Sequence, residues 1–471
     1  MTTNPSTALP ARQALGDLWM QAGLPTEALA QLTLTGADPV FPSSFAVGAA
    51  AQSSVAAGAL AACELGHARG TPRQGVAVDM LHAAMETTGW FSLNGRVPDL
   101  WDAFSGLYRC ADGHVRIHAN FRHHRDGALR LLGLDLDTAT REQAQAALLG
   151  WRAMEFEDAA AQRGLVATAL RSFAQWDASP QGRAVAALPL FRIDRIGDAP
   201  PRALAQLEPE QRPLSGVRVL DLTRILAGPV AGRALASYGA DVLLVNSPHL
   251  PNIEAIADTS RGKRSTHIDL KTAEGAQALW QLVDEAHVFV QGYRPGGLAA
   301  LGFPPEALAR RRPGIVCVSL SAYGTDGPWA QRRGFDSLVQ TAMGFNAAEG
   351  EAAGPVDGAV SPRALPMQIL DQATGHLMAF GAAAALWRQR CEGGSWHVQL
   401  SLAQTGQWLR GLGRVPGGLA QRRPEGDAFV ELSHSGFGEL RAVRPSAQLA
   451  RTPAGTDRPS MPPGSHPPAW S

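Results

Sequence analysis

Apolar positions follow two rhythms through the middle of the chain. "VRVLDL" (217–222) and "ADVLLVN" (240–246) are apolar runs of strand length, and "PVAGRALASYG" (229–239) between them has helical spacing and a glycine stop. The alternation continues with strand-like "STHIDL", helical "TAEGAQALWQLVDEA", and the strands "HVFVQGY" and "GIVCVSLSAYG". Strands alternating with helices predict a parallel sheet with helices on both faces. The strands are continuously apolar, as strands covered on both sides are.

Two further stretches are alanine-rich on every side. One is "AAAQSSVAAGALAACELG" followed by "GVAVDMLHAAMETTGWF"; the other is "LDQATGHLMAFGAAAALWRQRCEGGSWHVQLSLAQTGQWL". Each predicts an alanine helix, a glycine turn, a short strand and a helix ending near a tryptophan. One constant offset places Gln52 on Gln372, Val78 on Val398 and Ala83 on Ala403, and so predicts an internal repeat. In that register Ala51 stands where Asp371 stands. Residues 200–215, "PPRALAQLEPEQRPLS", are proline-rich and polar and predict a linker. From 411 onward the chain is rich in proline and glycine, and irregular structure is expected there, draped on the surface or partly disordered.

Composition narrows the partners. The 471 residues are 45% hydrophobic and 18% charged, and the length suggests roughly two to four domains. Lys+Arg and Asp+Glu both number 42, a balance that argues against a general nucleic-acid binder. Cys63, Cys110, Cys317 and Cys391 lie far apart and form neither a disulfide framework nor a zinc-finger spacing. The start of the chain has no basic segment leading into an apolar one, and the apolar runs are too short to span a bilayer. A cytoplasmic protein with reduced thiols and no membrane partner is expected.

Asp371 heads the second alanine-rich helix, and its nearest cations in the chain are Arg363 and Arg388. Its ordinary role would be an N-cap. Its chemical role would be a nucleophile or base at a helix N-terminus, where free N–H groups stabilise an anion. "ILAGPVAGR" (225–233) follows a strand and opens a helix, so the backbone at Ala227 and Gly228 can approach a phosphate. It lacks the GxGxxG dinucleotide fingerprint. Arg261, Lys263 and Arg264 cluster before a strand; such a loop is usually a solvated face, or else binds phosphates. "QGYRPGG" (291–297) places Gln291, Tyr293 and Arg294 at a strand's end, where open α/β sheets bind ligands. His114, His118, His123 and His124 fall close together, but no cysteine or carboxylate completes a recognisable metal set. A GxSxG elbow is absent.

Taken together, "GVRVLDLTRILAGPVAGRALASYGADVLLV", "RGKRSTHIDLKTAEG", "QGYRPGGLAALGF", "VSLSAYGTDGPWAQRRGFDSLVQ" and the segment around Asp371 resemble the family III CoA-transferases, also called the CaiB/BaiF family. The resemblance implies a Rossmann-like open parallel sheet domain with helices on both faces, plus a smaller α+β domain. It implies Asp371 as the catalytic aspartate of an acyl-CoA:carboxylate CoA-transferase working through an aspartyl thioester and anhydride. It also implies coenzyme A as part of an acyl-CoA substrate, contacted by Ala227, Gly228, Arg261, Lys263, Arg264, Gln291, Tyr293 and Arg294. No permanently bound cofactor or metal is implied, and the partners are the acyl-CoA and carboxylic acid substrates.

The earlier half resembles the second half of the same family, through "LWDAFSGLYRCADGHVRIHA" and "MEFEDAAAQRGLVATALRSFAQWDASPQ". The expected order is therefore an extension (1–39), a second-half segment without its aspartate (40–199), a linker (200–215), the CoA-binding catalytic α/β domain (216–410) and a tail (411–471). Members of the family form interlocked homodimers, so a homodimer is expected. The chain departs from the family pattern in two places. "VNSPHLPNIEAIADT" replaces "VExPxxGDxxR", without the arginine expected to meet CoA phosphate, and Gly292 takes the asparagine position of "ENFRPG". Two alternatives remain from the sequence. A 2-methylacyl-CoA racemase of the family would need a histidine before the aspartate of "GHD", where this chain has Phe335 before Asp336. A non-catalytic CoA-binding partner subunit is the other, suggested by the missing aspartate at Ala51.

Overall fold

The computed structural model describes residues 10–471. Its central sheet has seven strands: β1 (Phe191–Gly197), β2 (Arg218–Leu222), β3 (Asp241–Asn246), β4 (Arg264–His267), β5 (Val288–Gln291), β6 (Val316–Ser321) and β7 (Ser395–Ser401). Their spatial order is β4-β3-β2-β5-β6-β7-β1. Neighbours run parallel except β1, which pairs antiparallel with β7. The chain moves outward from β2 through β3 to β4, then returns to place β5 on the other side of β2. The loops after β2 and β5 therefore diverge and open a crevice between them. Leu222 and Gln291 pair across these two strands, so both loops leave from the same level.

Five helices matter for the site: α1 (Val47–Ala68), α2 (Arg122–Leu131), α3 (Ala227–Ser237), α4 (Asp336–Met343) and α5 (Ile369–Glu392). α5 is buried along almost its whole length and is flanked by α1 and α3. Its small residues explain how. A Cβ added at Gly375 would sit 2.5 Å from the carbonyl oxygen of Ala227 on α3, and one added at Gly58 of α1 would sit 3.4 Å from the carbonyl oxygen of His376. An alanine- and glycine-rich helix can thus bury every face, as the absence of a polar stripe in the sequence requires.

The two parts of the chain are not separate bodies. β1 lies within the 40–199 segment yet forms one edge of the central sheet. α1, the strand Val76–Asp79 and the helix Met80–Glu86 repeat the order of α5, β7 and the helix Leu402–Gly411. A compact antiparallel sheet (106–109, 114–117, 167–169) with helices 122–131, 141–148 and 153–162 forms a smaller unit with its own core. The linker carries no helix or strand, but it is tied down: the guanidinium of Arg69 donates to the carbonyl oxygens of Ala205 (2.9 Å), Pro213 (3.0 Å) and Ser215 (2.8 Å).

The tail differs from its expected irregularity. Residues 430–435 and 438–443 form a hairpin that extends onto Phe91–Leu93, and 447–449 pairs with Val76–Asp79. These strands are too short to be read from periodicity. They exist because the first half of the chain offers open strand edges, which supply the missing backbone partners.

Candidate functional site

α5 starts without a capping side chain of its own; Gln368 occupies the cap position and Asp371 lies inside the first turn. The backbone N–H of Asp371 donates instead to Oδ2 of Asp336 at 2.8 Å. Asp336, at the start of α4, therefore caps α5 from a neighbouring helix, and the carboxylate of Asp371 is left free. Gln340 Nε2 holds the other oxygen of Asp336 at 2.5 Å and is itself fixed by the N–H of Leu365 on its Oε1 (3.1 Å). Asp336 is fully buried, and Asp371 is half-buried against a cavity.

Two neighbouring carboxyls in this setting resist ionisation. Burial pushes Asp371 well above the usual carboxylate range, and the adjacent Asp336 pushes it further. Burial also raises Asp336, opposed by the N–H groups of Asp371 and Leu370, the Gln340 amide and the charge of Arg116. The donors all favour the anion on Asp336, so the first negative charge of the pair belongs there.

The cavity holds about 400 Å³ and opens where the β2 and β5 loops part. Its walls include Arg224 to Ala227 after β2, Gly292 to Pro295 after β5, Ser321 at the end of β6, Arg332 to Phe335 before α4, and Asp371. The smaller unit supplies Phe121, His123 and His124. Asp371 is the one carboxylate among the lining residues described. Arg332 is committed to Glu157 at 2.9 Å, whereas Arg294 and Arg333 are exposed, and the Arg294 charge adds to burial in lowering the basicity of Arg333. Guanidiniums held near one another over a cavity make a ready site for phosphate or carboxylate.

The structure brings together some of the residues singled out from sequence. Ala227, Tyr293, Arg294 and Asp371 line this cavity. Gly228 lies one residue behind the wall, where an added Cβ would meet Thr223 at 2.4 Å. Gln291 lines a separate narrow crevice that shares Arg294 with the cavity wall. Arg261, Lys263 and Arg264 do not line the cavity and are not a solvated face either. Lys263 Nζ is fully buried on Asp221 (2.7 Å) and the carbonyl oxygen of Pro229 (2.8 Å). Arg261 binds Asp258 (2.7 Å) and Glu431 (3.0 Å), and Arg264 binds Asp241 (3.2 Å). The glycine at 232 makes room for the lysine, since a Cβ there would fall 2.2 Å from Asp221 and 2.7 Å from Lys263.

Sequence reasoning missed Arg224, Arg333 and the capping role of Asp336. Arg224 carried a signal, being the first charged residue after β2. Asp336 carried none, because its role depends on the approach of α4 to α5. The histidines divide: His118 stacks on Phe335 (ring centroids 3.8 Å apart, planes 7° apart), while His123 and His124 face the cavity. Among the described residues no group of three or more His, Cys, Asp or Glu is placed to hold a metal ion.

The chain is similar to known proteins over this region. Residues 214–412 match the model of CoA-transferase family III. An acyl-CoA transferase of Gibberella moniliformis is 34% identical over 315 residues, covering 63% of this chain and 55% of that protein. A succinate–glutarate CoA-transferase of Agrobacterium fabrum is 35% identical over 210 residues, 40% of this chain and 51% of that one. Among solved structures, that of Rv3272 from Mycobacterium tuberculosis is 35% identical, covers 42% of this chain and 56% of the other, and has a TM-score of 0.38. The chain spans about half the length of the curated relatives it matches. The segment that matches the CoA-transferase family III model contains β2 to β7, α3, α4 and Asp371.

Proposed function

We propose that the chain is an acyl-CoA:carboxylate CoA-transferase with Asp371 as its nucleophile. One observation carries the reading: the Asp371 carboxylate faces an arginine-flanked cavity while its own N–H is occupied by Asp336. Free of a capping duty, the carboxylate can attack. Asp371 Oδ adds to the thioester carbonyl of an acyl-CoA, and the carbonyl electron pair moves onto its oxygen. Collapse expels CoA thiolate and leaves an acyl–aspartyl anhydride. The thiolate attacks the aspartyl carbon, releasing the first carboxylate and forming an aspartyl thioester. The acceptor carboxylate then attacks that thioester, expelling CoA thiolate and forming a second aspartyl anhydride. The thiolate attacks the acceptor's acyl carbon, giving the new acyl-CoA and freeing the Asp371 carboxylate. Each step exchanges one acyl bond for another, and protons need not be transferred.

Anionic substrates suit the walls. Arg224, Arg294 and Arg333 meet phosphate and carboxylate groups, and the backbone at Ala227, with Gly228 behind it, flanks the thioester end. Arg261, Lys263 and Arg264 have no part in this, since none of them lines the cavity and each is paired with an acid inside the protein. Both parts of the chain line the cavity, so each copy in a homodimer would carry its own cis-built site. A cytoplasmic setting agrees with four free cysteines, three of them buried. The racemase alternative is weaker because Phe335 cannot move a proton.

The test is transfer of label between panels of acyl-CoA thioesters and carboxylic acids by the purified full chain. Hydroxylamine added during turnover should modify Asp371, read by peptide mass. Turnover with the label on any other residue would defeat the assignment. Enzyme-dependent deuterium uptake at C2 of a 2-methylacyl-CoA, without transfer, would favour the racemase.

A further inference from the structure

The two ring nitrogens of His124 are buried and have no hydrogen-bond partner among the described residues, although the side chain lines the cavity. The residue is 5% exposed. An imidazole in that position loses water at both nitrogens and regains nothing, which is unfavourable for each unmet group. Such groups are the exception in folded proteins and call for an explanation. Here the side chain that carries the unmet groups lines a cavity, with both nitrogens just beneath its surface.

The ring is held by its surroundings. His124 sits in the first turn of α2. Phe121 meets it edge-on (centroids 5.7 Å, planes 88°), Phe335 lies at 6.3 Å and 68°, and His123 packs against it at 4.0 Å. Burial, with the nearby charges of His123 and Arg333, brings the imidazolium down to about 3, so the ring is uncharged near neutrality and keeps one N–H donor. Ser321 Oγ, on the same cavity, is also unpartnered, but a hydroxyl rotates freely and is less fixed in aim.

We propose that His124 is a catalytic residue of the Asp371 site, donating a hydrogen bond to the acyl oxygen on which negative charge develops. The proposal rests on the CoA-transferase reading above. In the first step the oxygen of the thioester carbonyl gains the electron pair displaced by Asp371. A preorganised uncharged donor in a water-poor wall stabilises that oxygen without itself losing a proton. The donor comes from the smaller unit in the first half of the chain, whereas the nucleophile comes from α5. The first half then supplies chemistry to the second, although its own repeat has alanine at position 51.

The experiment uses the full chain carrying Asp371→Asn, so that bound thioester is not consumed. Two probes are compared by calorimetry: acetyl-CoA, and S-ethyl-CoA, which lacks only the carbonyl oxygen. The Asp371→Asn chain should bind acetyl-CoA roughly fivefold to tenfold more tightly. Adding His124→Phe should abolish that preference and leave S-ethyl-CoA affinity unchanged. Adding His124→Gln, which keeps a donor, should retain most of it. With Asp371 intact, His124→Phe should lower kcat about 100-fold. A preference that survives His124→Phe, or one already missing from the Asp371→Asn chain, overturns the role of His124 and leaves the transferase reading standing. A chain that binds neither probe overturns the CoA reading itself, and the His124 proposal with it.

Discussion

Asp371 and Asp336 are two carboxyls of the same kind, separated in role by their partners. Asp336 has donors on both oxygens, while Asp371 has burial and a neighbouring charge. Asp371→Asn should abolish transfer, because an amide is not a nucleophile, and it should raise Tm. The sign follows from the shifts. Both carboxyls titrate above the usual range in the folded chain, so their strain is absent at pH values below that range and grows as pH rises through the raised values. Near neutrality the pair costs stability, and removing one ionisable group should return roughly 1–2 kcal/mol. Differential scanning calorimetry of both proteins measures it. For the same reason the activity of the native chain should rise with pH above the ordinary carboxylate range. Asp336→Asn keeps an oxygen for the Asp371 N–H but removes the competing charge, so its acidic limb of kcat/KM should move down by about one pH unit. A limb that stays in place would show that Asp371 does not feel Asp336. In the sequence Asp371 stood out as a lone carboxylate heading an apolar run, with an N-cap as its ordinary role; what the sequence could not show is that Asp336 takes its N–H and leaves its carboxylate free of that duty. His124 was legible only as one of four clustered histidines, since nothing local tells a stacked ring from a free one.

At the scale of elements, the loop of Arg261, Lys263 and Arg264 shows where local reading fails. Three cations in four residues look like a surface, yet each meets an acid brought from elsewhere in the chain or from a neighbouring turn. Lys263 spans the space under α3 to Asp221 on β2, both side chains wholly hidden. Breaking such a pair leaves a buried charge without compensation. Lys263→Met should therefore destabilise the chain by about 3–5 kcal/mol, measured by urea unfolding. Whatever fraction stays folded should keep its affinity for CoA, since Lys263 does not line the cavity. A selective loss of CoA binding at unchanged stability would restore the phosphate-binding role expected from the sequence. The parallel sheet was readable because its strands are continuous apolar runs, and so was α5, because alanine and glycine along its whole length leave no face for water. The strands at 430–449 were not, because each is short and gains its partner only from the folded first half.

The whole molecule stands or falls on the contact between its two parts. A chain lacking residues 1–205 would keep Asp371, β2 to β7 and α3, α4 and α5. It would lose α1, which covers one side of α5, and β1, which covers the β7 edge of the central sheet. The apolar flank of α5 would meet water, and a newly open strand edge beside it would invite pairing between chains. It would also lose Phe121, His123 and His124 from the cavity wall, leaving Asp371 in a more open and wetter site. The hairpin at 430–443 and the strand at 447–449 would lose their partners in Phe91–Leu93 and Val76–Asp79, so the end of the chain would come loose as well. The expected outcome is an insoluble product, or a soluble one without transfer activity. Adding residues 10–205 as a separate polypeptide during refolding should restore solubility, and restore activity only if the added segment carries His124. Expression of both pieces, size-exclusion chromatography with light scattering, and the transfer assay decide it. A soluble, monodisperse and active 206–471 fragment would refute the shared-site account and make the first 205 residues a module with a task of its own.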